Sequence, residues 1–387
     1  MKNVFIVAAK RPPIGGFLGS LSGLGATQLG KTAIEAIMNE VRLPADKVDA
    51  VYMGNVLSAN LGQSPARQAA VFAGIPVEAD ATTINKVCAS GLKAVITGIQ
   101  QIQLGVNDVV IAGGMESMSN VPHYIDGRKS NKLGHTQVTD GLLKDGLTDV
   151  YNGFHMGNAA EICAREYKLT REQQDDYALK SYKRAEDAFN AGKLNDEIIP
   201  IEVNGNVVKS DEDIFKLIPE KVAKLKPVFE EGGTITAANA SNLNDGAAAL
   251  LLVSEEVVKE YNLKPLAKIK GYADAAQAPE WFTTSPSIAI PKALQQAGLT
   301  KEDIDYYEIN EAYAAVILAN AKILDLDIEK INVYGGGVAM GHPIGASGAR
   351  IVVTLLSVLK QEGGKYGVAA ICNGGGGASA LVIENLQ

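Results

Sequence analysis

Residues 88–95 read CASGLKAV and residues 345–352 read GASGARIV. The pairing of these two octapeptides decides the architecture. Each sets Ala-Ser-Gly ahead of apolar residues at helical spacing, in the first case Leu92, Val95, Ile96 and Ile99, which is the period of a helix with one buried stripe. Other segments repeat in step with them. LPADKVDAVYMG at 43–54 runs parallel to LTKEDIDYYEIN at 299–310, DVVIAGGMES at 108–117 to YGVAAICNGG at 366–375, and AALLLVSE at 248–255 to SALVIENL at 379–386. The chain therefore contains itself twice. Each half alternates strands and helices and ends in a strand, so the expected class is α/β with sheets covered by helices.

The halves differ by one insertion, between a strand ending near Ser117 and a strand starting near Ala248. It carries the helical stretch AAEICAREYKLTREQQDDYALKSYKRAEDAF at 159–189, Gly-rich turns and the basic segment KLIPEKVAKLKP at 216–227. We expect it to leave the first half and cover a site built by both.

Composition narrows the function classes. At 387 residues, 47% hydrophobic and 21% charged, the chain is globular and holds two or three packed units. A formal charge of −8 argues against nucleic acid as partner, because phosphate backbones call for a surplus of Lys and Arg. No apolar run approaching 18 residues is evident, so no membrane span is expected. The start, MKNVFIVAAKRPP, enters a strand at once and leaves no room for a signal peptide. Three cysteines make no disulfide framework and suit a reducing compartment, most simply the cytoplasm. His123, His135 and His155 lack the spacing of metal ligands. GGGVAMGH lacks the Lys and Ser/Thr of a nucleotide phosphate loop, and no GxGxxG follows the first strand.

Four strand-to-helix junctions carry chemistry. In INKVCASG, Cys88 sits where the unpaired N–H groups and positive end of a helix dipole favour a thiolate. In EINEAYAA, Glu308, Asn310 and Glu311 interrupt apolar positions, with helix capping as the simple alternative for the asparagine. NVYGGGVAMGHPIGASGAR presents His342 between Gly341 and Pro343, and ICNGGGGASA puts Cys372 at a strand end before four glycines. Cys163 reads as core. The duplication brings these junctions to one crevice, where open α/β sheets bind ligands. Nucleophilic thiol, imidazole base, amide and second thiol over one carbonyl suit acyl transfer through a thioester.

The motifs VCASG, NEAYA, GGGVAMGHPIGASGAR and CNGGGG, in this order, resemble those of the thiolases: VCASG, NEA(F/Y), GGAxxxGHPxGxSGAR and CxGGG. The resemblance covers essentially the whole chain. It implies a five-layered αβαβα fold of two duplicated halves with an inserted loop domain: residues 1–117 plus 247–266, the insertion 118–246, and the second half 267–387. It implies that Cys88 takes up the acyl group, His342 activates it, and Cys372 moves the α-proton. Backbone N–H groups of Cys88 and Gly374 would hold the tetrahedral intermediate, and His342 with a water placed by Asn310 would hold the enolate oxygen.

The same resemblance implies coenzyme A thioesters as substrates, no prosthetic group and a homotetramer built as a dimer of dimers. His155 and Met156 in FHMGNAAE would lie near the acyl pocket. Ser241 in TAANASNLNDGAA, with Leu147 and Phe229, would lie along the pantetheine arm, and Lys216 and Lys221 near the phosphates. Many relatives have Arg around Phe215 and Lys216, a point of departure. KDGLTDVYN, TAANAS, ADAAQAP and ICNGGGGASA resemble the mitochondrial type of acetoacetyl-CoA thiolase, whose members bind potassium. Tyr182, Ala237, Ala238, Ala240 and Val338 occupy the matching positions. The implied reaction is reversible thiolysis of acetoacetyl-CoA. Alternatives are a 3-ketoacyl-CoA thiolase of broader chain length, a ketoacyl synthase, against which Cys372 argues, and an inactive coenzyme A-binding scaffold.

Overall fold

The computed structural model describes residues 2–128 and 133–387. In the first half, strands β1 (Val4–Lys10), β2 (Ala50–Gly54), β3 (Asp80–Ile84), β4 (Val109–Ser117) and β5 (Asn244–Ser254) lie in the order β3-β2-β4-β5-β1. In the second half, β6 (Ala267–Ala276), β7 (Tyr306–Ile309), β8 (Tyr366–Asn373) and β9 (Gly377–Asn385) lie in the order β7-β8-β9-β6. A parallel bridge from Tyr307 to Ile331 stands where β3 stands in the first half. The orders match strand for strand, as the repeats predict. The two units are not separate sheets, however. Antiparallel pairing of Phe5 with Lys268 and Ile6 with Ala267 joins them at β1 and β6.

Helices α1 (Ala26–Glu40) and α2 (Pro65–Phe72) cover the outer face of the first half. Helices α3 (Ser90–Gln103) and α8 (Ile344–Gln361) fill the middle, packed with residues from both halves' strands. Helix α4 (Met156–Glu166) and helix α5 (Arg171–Asn190) belong to the insertion. Helices α6 (Pro286–Ala297) and α7 (Ala314–Leu324) cover the outer face of the second half. The result is αβαβα, five layers deep.

The Ala-Ser-Gly repeats explain the middle layer. A β-carbon on Gly91 of α3 would stand 2.8 Å from the nitrogen of Ala349, and one on Gly348 of α8 would stand 2.9 Å from Cβ of Leu92. Only glycine admits helices this close. Helix α8 lies at the centre of this layer. It is long and apolar enough to cross a membrane by length and composition, though broken by Arg350 and Lys360, and 89% of it is buried inside the fold. A helix buried all round is what a place between the two halves of the sheet demands.

The insertion leaves at the end of β4 and returns at Asn244, four residues earlier than the hydrophobic run suggests. Its helix α5 opens with a capping box between Thr170 and Gln173.

Candidate active site

The segment before α3 is a tight turn under strain. Val87 adopts φ +47, a left-handed conformation that costs a β-branched residue about 1–3 kcal/mol. Four hydrogen bonds hold it. Val87 N–H donates to Asn85 Oδ1 (3.0 Å), Lys86 N–H to Ser90 Oγ (2.8 Å), and Ser90 Oγ to the Val87 carbonyl (2.6 Å). Lys86 Nζ reaches across to Asp274 Oδ1 on β6 (2.6 Å). The turn delivers Cys88 two residues ahead of the helix.

The thiolate expected there is not favoured in the resting protein. Burial pushes the Cys88 thiol up to about 11, although the N–H groups of Gly374 and of Cys88 itself favour the anion. Desolvation outweighs the helix end here. Those same two N–H groups converge on the sulfur, which is where an acyl oxygen would need them.

His342 follows Gly341, whose φ of +107 and whose Asn244 neighbour leave no room for a β-carbon. Asn244 Oδ1 accepts from His342 N–H at 2.9 Å, fixing the backbone. The ring is buried, with Nδ1 2.6 Å from Ser347 Oγ and Nε2 3.4 Å from Asn310 Nδ2. Burial, with the nearby Arg350 charge, pushes the imidazole down to about 3, so it is neutral at pH 7. Asn310 directly follows β7, its N–H donating to the Ala370 carbonyl on β8 at 2.9 Å. It does not cap a helix, since α7 begins four residues later. Its neighbour Glu311 is a buried structural anchor that accepts from Tyr177 Oη (2.6 Å), Ser181 Oγ (2.7 Å) and Val338 N–H (3.0 Å).

Cys372 is buried at the end of β8, its thiol pushed well above the usual range by burial and by the nearby Cys88. Cys163, on α4, is buried in the core cluster of the second half, as expected.

A cavity of about 420 Å³ opens on Cys88, His342 and Gly374. Leu147, His155, Met156, Phe229, Ala240 and Ser241 also line it, so the residues given to the acyl pocket and pantetheine arm share one wall. His155 stacks on Phe229 with ring centroids 4.7 Å apart. A neighbouring cavity of about 520 Å³ is lined by Tyr182, Lys216, Lys221, Ala237 and Ala238. Lys216 is ion-paired there with Glu212 (2.7 Å) and Asp213 (2.9 Å), so its charge is already engaged. Tyr182 packs with Val338 in one cluster, and its hydroxyl is raised to about 12 by burial and by Asp213.

Sequence reasoning missed several residues. Phe282 and Tyr313 also line the first cavity. Glu116, read only as part of a strand, is fully buried and accepts from Asn55 Nδ2 (2.8 Å), Val56 N–H (3.0 Å) and Gly345 N–H (2.9 Å), tying the first half to the start of α8. Burial raises its carboxyl to about 7. An acidic residue inside VVIAGGMES is the signal that was available.

Comparison with known proteins agrees with this geometry. The model of the thiolase N-terminal domain matches residues 4–256 and that of the thiolase C-terminal domain residues 263–385. Acetyl-CoA acetyltransferase 2 of Arabidopsis thaliana is 57% identical, with 100% of this chain and 98% of that protein covered. The mitochondrial acetyl-CoA acetyltransferase of Bos taurus is 52% identical over 100% of this chain and 92% of its own. The crystal structure of Acat5 thiolase from Ascaris suum in complex with coenzyme A superposes with a TM-score of 0.96 at 48% identity, covering 100% of both chains. With both domains matched in order and full-length relatives above half identity, the chain belongs to the thiolase family.

Proposed function

We propose that this protein is an acetyl-CoA C-acetyltransferase, which cleaves acetoacetyl-CoA with coenzyme A into two acetyl-CoA and runs the reverse Claisen condensation. The observation that carries this is the convergence of Cys88, His342 and Gly374 on one cavity, with Asn310 and Cys372 behind them. In thiolysis, His342 takes the Cys88 proton and the sulfur adds to the ketone carbon. The oxyanion rests on the N–H groups of Cys88 and Gly374. The C2–C3 bond breaks, leaving acetyl on Cys88, and the Cys372 thiol gives its proton to C2. Cys372 then takes the thiol proton of coenzyme A, whose sulfur removes the acetyl group, and His342 returns its proton to the Cys88 sulfur. Both groups being protonated or neutral at rest suits this sequence, since each must first give or take a proton.

The bulky side chains of Met156, Phe282 and Tyr313 in the cavity lining support a short chain over the long chains of a broader 3-ketoacyl-CoA thiolase. Ser241, Leu147 and Phe229 would hold the pantetheine arm, His155 would lie near the acyl group, and Lys221, with Lys216 after release from its carboxylates, would hold the phosphates. Potassium would be held by the Tyr182 hydroxyl and the carbonyls of Ala237, Ala238, Ala240 and Val338. Hard oxygen donors beside the Asp213 carboxylate suit such a cation. It would supply order in the loop carrying Ser241. In the homotetramer we propose, the half-exposed edge strand β3 is an open template for pairing two copies. A cytoplasmic location is supported by three free cysteines and by a relative named as cytosolic, from Gibberella zeae, although another is named as mitochondrial.

The test is initial-rate thiolysis of 3-ketoacyl-CoA from four to sixteen carbons, in potassium and in sodium. Highest kcat/KM with acetoacetyl-CoA is expected, with potassium lowering its KM and Tyr182→Phe blunting that response. Faster turnover of long chains would select the broader thiolase, and absence of thiolysis would leave the scaffold reading.

A further inference from the structure

Four hydrogen bonds run in single file through the site. Arg350 Nη2 faces Asn310 Oδ1 at 3.5 Å, Asn310 Nδ2 faces His342 Nε2 at 3.4 Å, His342 Nδ1 faces Ser347 Oγ at 2.6 Å, and Ser347 Oγ faces the Pro343 carbonyl at 3.0 Å. All of these side chains are buried. The ends of the file fix its direction. A guanidinium only donates and a carbonyl only accepts. The Asn310 atom turned to Arg350 must therefore be the oxygen, which turns its NH₂ to His342. An N–H pointing at Nε2 requires a lone pair there. From the other end, a Ser347 hydroxyl that donates back to Pro343 leaves its oxygen to accept, which places the ring proton on Nδ1. Both ends give the same tautomer.

We propose that Ser347 and Arg350 are positioning residues that hold His342 with its proton on Nδ1 and its Nε2 unprotonated beside the catalytic cavity, in weak contact with the Asn310 amide at 3.4 Å. Only that tautomer can receive the Cys88 proton. The proton then moves from Sγ to Nε2, the imidazolium keeps its Nδ1–H bond to Ser347, and the sulfur is freed to form the thioester. The wrong tautomer would present a second N–H to the thiol and leave it protonated. Ser347 is poised for the task by its place in the fold. It stands one turn beyond Pro343 on α8, where a serine hydroxyl bonds back to the carbonyl four residues earlier. Its counterpart in the repeat, Ser90, bonds back to Val87 and stiffens the Cys88 turn. The duplicated serine thus supports the nucleophile in one half and the base in the other. Arg350 is itself placed by Glu308 on β7, at 3.4 Å.

This deepens the proposed function and rests on it for the direction of proton transfer, but the tautomer itself can be read without turnover. Magic-angle-spinning ¹⁵N spectra of protein labelled at its histidine rings, with His342→Gln assigning the signal, should show His342 neutral at pH 7 with Nδ1 protonated. In Ser347→Ala a signal from the Nε2-protonated form should appear. In the same variants, Ser347→Ala should lower kcat for acetoacetyl-CoA thiolysis by about 10- to 100-fold with KM within about twofold, and Ser347→Thr should recover most of it. A wild-type protein that does not thiolyse acetoacetyl-CoA would sink the proposed function and leave the spectra to judge the tautomer. An Nε2-protonated His342 in the wild type, or an unchanged kcat in Ser347→Ala, would overturn the proposal.

Discussion

Asn310 Nδ2 stands 3.4 Å from His342 Nε2, at the meeting of β7 and the loop before α8. An amide here donates where a carboxylate would only accept. Asn310→Asp keeps the shape and the bond from Arg350 but loses the donor. We expect kcat to fall by about 10²–10³-fold with KM changed by less than about threefold, as for loss of one oxyanion donor. Steady-state kinetics in both directions would check it, and a loss confined to KM would refute the role.

The two thiols separate by position. Cys88→Ala should abolish thiolysis and condensation while coenzyme A binding survives in calorimetry. Cys372→Ser should still become acetylated at Cys88 by acetyl-CoA, as seen by mass spectrometry, yet lose exchange of the acetyl α-protons with solvent. Acetylation found at Cys163 or Cys372 instead would reverse the assignment.

The pH behaviour of the resting thiol follows from its burial. With Cys88 raised to about 11 and His342 lowered to about 3, both are uncharged across neutral pH. Alkylation by iodoacetamide needs the thiolate, whose fraction grows tenfold per pH unit below the thiol pKa. The rate at Cys88 should therefore climb steadily from pH 7 to pH 9. A plateau below pH 8 would reveal a thiolate–imidazolium pair instead.

Gly348→Ala tests the helix contact at the centre. The added carbon would press on the backbone and Cβ of Leu92, so α3 and α8 must part. Overpacking of this kind costs about 1–3 kcal/mol. Urea denaturation should show the loss, and an unchanged midpoint would mean that the helices separate freely.

The duplication was legible because short repeats preserve their order, and Ala-Ser-Gly reports a helix that something must approach closely. Cys88, His342, Cys372 and Asn310 were legible because polar residues at strand ends break an apolar pattern. The ionisation of Cys88 was not. A helix start is local and visible in sequence, whereas desolvation depends on what the rest of the chain stacks over the sulfur. Glu116 was hidden for the same reason, since a strand pattern does not reveal which N–H groups a carboxylate will meet. Ser347 stood in plain view inside GASGAR, but its bond to His342 depends on the turn made by Gly341 and Pro343. The join of the two halves at β1 and β6 was equally invisible, because it rests on backbone pairing between Ile6 and Ala267 that leaves no side-chain signature.

The central helix pair also sets a timetable for synthesis. Helix α3 starts at Ser90 and its partner α8 at Ile344, so roughly 250 residues must be made between them. At about 5–20 residues per second, that is on the order of tens of seconds in which the apolar flank of α3 has emerged without its cover. The nascent first half must spend this interval sheltered by chaperones or in provisional collapse, and slowing translation after the insertion should raise the aggregated fraction of newly made chains.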